Sequence, residues 1–84
     1  MTPEDEAELR RLRWRARRGM RELDVLFTRY LDQAWAGDSE EQRGVFLRLL
    51  DCEDDSLWRW FMGYEEVPDA ELRAFVQRML SLPH

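Results

Sequence analysis

The chain has 84 residues, with thirteen Arg, no Lys, and eighteen Asp and Glu, for a formal net charge of −5. That length allows one domain, residues 1–84, and 44% apolar residues with four Trp and four Phe supply a core without staples. One cysteine excludes an intramolecular disulfide, and the absence of Lys excludes a Schiff base or a phosphate-loop lysine.

In chain order, Thr2 is placed to cap a first helix with Pro3 at its first position and Glu4, Asp5 and Glu6 in its first turn. Leu9, Leu12, Ala16, Met20, Leu23, Phe27, Tyr30, Leu31 and Ala34 then recur at helical spacing. Periodicity alone draws one helix from about residue 4 to 36. Gly19 interrupts it, because glycine inside a helix costs about 1 kcal/mol relative to alanine. Used instead as an N-cap, Gly19 places Glu22 at the third helical position, facing the positive end of the dipole. Both readings stand, and the capping geometry favours two helices with a break at about 17–19.

The second helix is expected to end near Trp35-Ala36, with Gly37 as its stop. Asp38 or Ser39 starts the third, where Ser39-Glu40-Glu41-Gln42 is a capping-box pattern and Val45, Phe46, Leu49 and Leu50 form the apolar stripe. Asp54 or Asp55 caps a short fourth helix from Ser56 to Met62, closed by Gly63. Pro68 or Asp69 opens the last helix, with Leu72, Phe75, Val76, Met79 and Leu80 inward and Pro83 at its end. No segment shows strand alternation. The expectation is an all-α, compact bundle of about five short helices, frayed at 1–8 and 81–84.

Reactive constellations are absent. The one histidine is His84, so a Ser/His/Asp or Cys/His pair would have to use the last residue. The glycines at 19, 37, 44 and 63 make no phosphate loop. Cys/His metal ligation fails for lack of ligands. Read as a calcium loop from Asp51, the chain has Ser56 where glycine belongs and Met62 where the bidentate glutamate belongs, so the acidic run reads as a solvated turn. The acidic first residues lack the apolar stretch of a secretory signal, and no apolar run reaches membrane-spanning length. No membrane insertion and a cytoplasmic location are therefore expected, with no bound metal.

Binding features remain. Residues 9–22 carry seven Arg against one acid, and residues 38–55 carry seven acids against two Arg. Treated as one helix, Arg10, Arg13, Arg17 and Arg21 form one stripe and Arg11, Arg15 and Arg18 another. The bland reading is a solvated face salted by the 38–55 segment; the sharper one is anion recognition, at which Arg excels. Nucleic-acid binding would rest on one short patch of an acidic protein and is not expected. Trp58 and Trp60 cannot share a face. Leu57, Trp60 and Phe61 make the core stripe, so Trp58 either covers a second part of the core or stands as an exposed anchor for a partner. Trp14 and Trp35 face the same alternatives.

Arg18-Gly19-Met20-Arg21-Glu22 resembles the RGxxE motif of the SdhE (YgfY-like) family of FAD assembly factors of succinate dehydrogenase. The likeness extends through Arg17 to Asp24, Phe46 to Asp55, Leu57 to Gly63 and Pro68 to Leu72, in the same order and spacing, over roughly residues 12–80. The resemblance implies a five-helix protein that is not an enzyme. Family members bind the flavoprotein subunit of succinate dehydrogenase, and in bacteria also of fumarate reductase, and promote covalent attachment of FAD to it. On this likeness Arg18, Gly19 and Glu22 sit at the docking face, within a partner-binding stretch that includes Arg17, Met20, Arg21 and Asp24, with Trp58 as a further anchor. Arg18 would pair a carboxylate or polar group of the partner, and Glu22 would orient Arg18 or accept from the partner. No dinucleotide fingerprint is present, so FAD is not expected to bind tightly to this chain. A monomer when free is the simplest expectation. An antitoxin-like or general adaptor role, also assigned to YgfY-like proteins, is the alternative.

Overall fold

A computed structural model describes residues 2–83. Five α-helices follow one another: α1 Pro3–Arg15, α2 Arg21–Gln33, α3 Glu40–Leu50, α4 Asp54–Phe61 and α5 Ala70–Leu80, with a short 3-10 turn at Trp35–Gly37. No strand occurs among the described residues, and the class is all-α as expected. Of the two segments expected to fray, 1–8 and 81–84, the end residues Met1 and His84 lie outside the described residues, and residues 3–8 belong to α1.

Local chemistry starts the helices. Thr2 accepts from the Asp5 N–H while Asp5 returns a bond to the cap, a capping box that satisfies two otherwise orphaned donors. Ser39 accepts from Gln42 at 3.1 Å, and Asp69 from Leu72 at 3.0 Å. Gly63, at φ 81°, takes the left-handed conformation that closes α4.

Three boundaries differ from the sequence reading. The break between the first two helices is real, but Met20 is the N-cap of α2, so Glu22 is its second residue rather than its third. α2 ends at Gln33, and Trp35 turns into the core on the 3-10 turn. α4 begins at Asp54, with Glu53 as a cap whose side chain makes no capping bond. The Asp54 carboxylate is drawn elsewhere by a distant arginine.

α2 lies at the centre and touches α1, α4 and α5, while α3 packs on α5. Leu23, Leu26, Phe27, Tyr30 and Leu31 of α2 are buried. Phe46 of α3 is the aromatic hub, with ring centroids 4.3 Å from Tyr30, 5.8 Å from Phe27, 6.0 Å from Trp35 and 6.1 Å from Phe75. Such tilted and edge contacts add about 1 kcal/mol each to the area they bury. Leu26 and Val67 also enter the core, outside the predicted stripes.

One polar network closes the core rim. Tyr30 donates its hydroxyl to Asp38 at 2.6 Å, and Arg78 holds the same carboxylate with two bonds of 2.8 and 2.6 Å. Arg78 holds the Asp38 carboxyl below its ordinary value, against the opposing effect of burial. Burial first, and then the bond to Asp38, push the Tyr30 phenol well above its ordinary value. α2, the start of α3 and α5 are thereby tied together.

Candidate functional site

The segment from Ala16 to Met20 joins α1 to α2. Ala16 ends α1, donating to the Leu12 carbonyl at 2.8 Å, and its side chain is buried. The chain then leaves the helix, so the two arginine stripes drawn along one continuous helix stop at Arg15. What holds the segment is α4, the turn before it and the first turn of α2.

Arg18 points inward, with 14% of its side chain exposed. Its Nε donates to Asp54 Oδ1 at 2.6 Å, one terminal nitrogen to the Leu50 carbonyl at 2.8 Å, and the other to the Cys52 carbonyl at 2.6 Å. The guanidinium also lies 5.8 Å from the centre of the Phe27 ring. Leu50 is the last residue of α3, where a cation meets the negative end of the dipole; Asp54 is the first of α4, where a carboxylate meets the positive end. The second oxygen of Asp54 accepts the Gly19 N–H at 3.2 Å. Burial raises the Asp54 carboxyl, but the Arg18 bond and the Gly19 N–H outweigh it and hold the group below its ordinary value. Asp24, on the first turn of α2, reaches back to accept the Arg18 N–H. One carboxylate from α4 and one from α2 thus fix two successive residues of the connector.

Gly19 itself is exposed. Its backbone is not in the left-handed region, since Gly63 alone among the described residues has positive φ. A Cβ added at 19 would meet Asp54 Oδ2 at 3.6 Å, an ordinary van der Waals contact. Neither backbone conformation nor internal packing requires glycine here.

The other predicted residues divide. Arg17 is exposed, its guanidinium 5.6 Å from the Trp14 ring centre. Met20 is half-buried against the core. Arg21 and Glu22 are exposed on the first turn of α2, and Glu22 makes no hydrogen bond or ion pair with the described residues, so it does not orient Arg18. Arg18 does not offer its guanidinium outward as the sequence reading had it; three internal acceptors consume it. Trp58, one turn along α4 from Asp54, is half-buried and stacks on Tyr64 with centroids 5.1 Å apart. It belongs neither to the buried core nor to the fully exposed surface. Trp35 is core, and Trp14 is 73% exposed.

Arg17, Arg18, Gly19, Glu53, Asp54 and Asp55 line a shallow open hollow. Three of those six are acids, so the hollow is a poor seat for a diphosphate, and its best-placed cation is already spent on Asp54. No group of three or more potential ligands that could hold a metal occurs among the described residues. No helix among them is long and apolar enough to cross a membrane.

Asp54, which the sequence offers with Asp55 as a cap of the fourth helix, is instead the first residue of that helix and the partner of Arg18. The signal that pointed to it was the charge asymmetry: Arg15 pairs with Asp51 at 2.7 Å and Arg18 with Asp54 at 2.6 Å, joining the basic segment to the acidic one.

A family model described as the flavinator of succinate dehydrogenase matches residues 10–83. The chain is 62% identical over 82 residues to the FAD assembly factor SdhE of Xylella fastidiosa, covering 98% of this chain and 84% of that one. It is 54% identical over 72 residues to the FAD assembly factor SdhE of Idiomarina loihiensis, covering 86% and 80%. To the FAD assembly factor SdhE of Pseudomonas aeruginosa it is 45% identical over 76 residues, 90% of each chain.

Proposed function

The chain belongs to the family of succinate dehydrogenase flavinators, and from that membership we propose that it binds the flavoprotein subunit of succinate dehydrogenase and promotes covalent attachment of FAD there. The flavoprotein subunit of fumarate reductase is a second client of the same chemistry. The chain acts in the cytoplasm as a binding protein and not as an enzyme: it supplies no nucleophile, holds no FAD tightly, and works by favouring one conformation of its client. When free it is a monomer.

The observation that carries this reading is Gly19. Glycine stands at an exposed position where the fold would accept a side chain. A bare backbone there serves an approach from outside the chain, where a Cβ would hold a partner's surface away. Glu22, exposed and unpaired among the described residues on the first turn of α2, is free to meet a partner. Arg17, Met20 and Arg21 flank that point, and Trp58 extends the face along α4. The acids lining the hollow support the view that the flavin stays with the client.

The test is co-purification of the flavoprotein subunit with the wild-type chain and with Gly19→Arg, together with in-gel flavin fluorescence of that subunit in cells lacking the gene. Loss of the complex by a variant that keeps its helical circular dichroism, and loss of fluorescence in the deletion strain, are the expected results. Full fluorescence in aerobic and anaerobic growth overturns the reading.

A further inference from the structure

We propose that Asp54, seconded by Asp24, is a positioning residue for docking: a two-carboxylate clamp that fixes the Arg18–Gly19 backbone in its binding-competent form, with Arg18 as the inner half of the clamp and not a contact of the client. The inference rests on the docking role of the Gly19 face.

Three features of the geometry lead there. First, a connector of a few residues that contains a glycine has wide conformational freedom, and no side chain of the segment caps α2, since the cap Met20 makes no side-chain bond. Second, the side chains that hold the backbone N–H groups of Arg18 and Gly19 are two carboxylates. Asp24 takes the Arg18 N–H, and Asp54 takes both the Arg18 Nε–H and the Gly19 N–H. Third, Arg18 completes the arrangement by binding the Leu50 and Cys52 carbonyls, which fixes the α3–α4 turn that carries Asp54. A charge-assisted bond to each of two successive backbone N–H groups leaves the segment one conformation rather than many.

The clamp explains why the motif contains an arginine that faces inward. Its guanidinium holds Asp54 in place, Asp54 holds the Gly19 amide, and Gly19 is presented without a side chain. A client that needs that backbone form binds without first ordering it. When the form is only fractionally populated, apparent affinity falls by that fraction.

The experiment compares the wild-type chain with Asp54→Asn, Asp54→Glu and Gly19→Arg. Binding to the purified succinate dehydrogenase flavoprotein subunit is measured by calorimetry, and exchange of the Gly19 amide by NMR. Asp54→Asn keeps its helical circular dichroism, exchanges the Gly19 amide roughly tenfold faster when free, and binds the flavoprotein roughly tenfold more weakly, the two effects scaling together through the populated fraction. Asp54→Glu recovers part of both. Should Asp54→Asn lose its fold, Asp24→Asn carries the same comparison, read on the Arg18 amide. A folded Asp54→Asn that binds like the wild type, while Gly19→Arg does not bind, overturns the clamp and leaves the docking face standing. Wild-type binding by Gly19→Arg overturns the docking face itself.

Discussion

Arg18 and Asp54 lie 36 residues apart in the chain and 2.6 Å apart in the fold. That one pair joins the α1–α2 connector to the start of α4, and it converts the residue expected to reach for a partner into an internal brace. Its loss is measurable. Arg18→Ala strands a partly buried carboxylate and the carbonyls of Leu50 and Cys52, three acceptors that the guanidinium now satisfies. The expected cost is about 2 kcal/mol, seen as a Tm lower by roughly 10 °C for a domain of this size. Arg18→Lys recovers little of it, because one ammonium does not reproduce the planar fork. Thermal melts of the two variants check this.

Gly19 separates folding from docking. Gly19→Ala introduces a Cβ that the fold accepts, so stability is unchanged or raised by about 0.5 kcal/mol through a less flexible unfolded chain. Docking of the flavoprotein subunit should weaken all the same, and Gly19→Arg should abolish it. Gly63→Ala is the control: at φ 81° the side chain is strained, and a loss of about 1 kcal/mol is expected with docking intact. Denaturant melts beside a binding titration distinguish the three.

Acid should loosen the rim of the core. Asp38 has a folded-state value below its ordinary 3.8, through Arg78 foremost. The stability it contributes is therefore complete above that ordinary value and is lost as pH falls through the lowered one. Asp54 and Asp69 are lowered too and act in the same direction. The wild-type Tm is expected to fall below about pH 4. Asp38→Asn should be less stable at pH 7 by about 2 kcal/mol and show a shallower acid limb. A Tm series from neutral to acid pH for both chains reads the difference.

The four tryptophans should answer a quencher unequally. Trp14 is 73% exposed, Trp35 is buried, and Trp58 and Trp60 are half-buried. Acrylamide titration should resolve an accessible and a protected population, and Trp14→Phe should remove most of the accessible one. A single protected population in the wild-type chain would contradict the exposed position of Trp14.

Phe46 touches Phe27, Tyr30, Trp35 and Phe75 from a fully buried site. Truncation to Ala should cost about 3–5 kcal/mol. That is a large part of what a domain of this length holds, so Phe46→Ala should be largely unfolded at 37 °C by circular dichroism.

Much of this protein is decided within a few residues of chain. Helical periodicity with its glycine and cap signals put the five helices in order, Thr2 and Ser39 cap where they were expected to, Asp69 proves to be the opener of the last helix rather than Pro68, and Gly19 marks a true break. Those features follow from bonds between residues three or four apart, so the local pattern carries them. The tertiary structure alone decided which way the charged side chains of the motif point. Asp54 looks like a helix cap from its neighbours, and Arg18 looks like a surface cation in a basic run. Each turns to the other because α2 packs on α1 and α4 and brings the connector beside the α3–α4 turn, where a partly buried guanidinium finds three acceptors at once. An ion pair spanning 36 residues leaves no periodic trace. Composition could say that a basic segment and an acidic one would meet, but only packing chose the two residues that do.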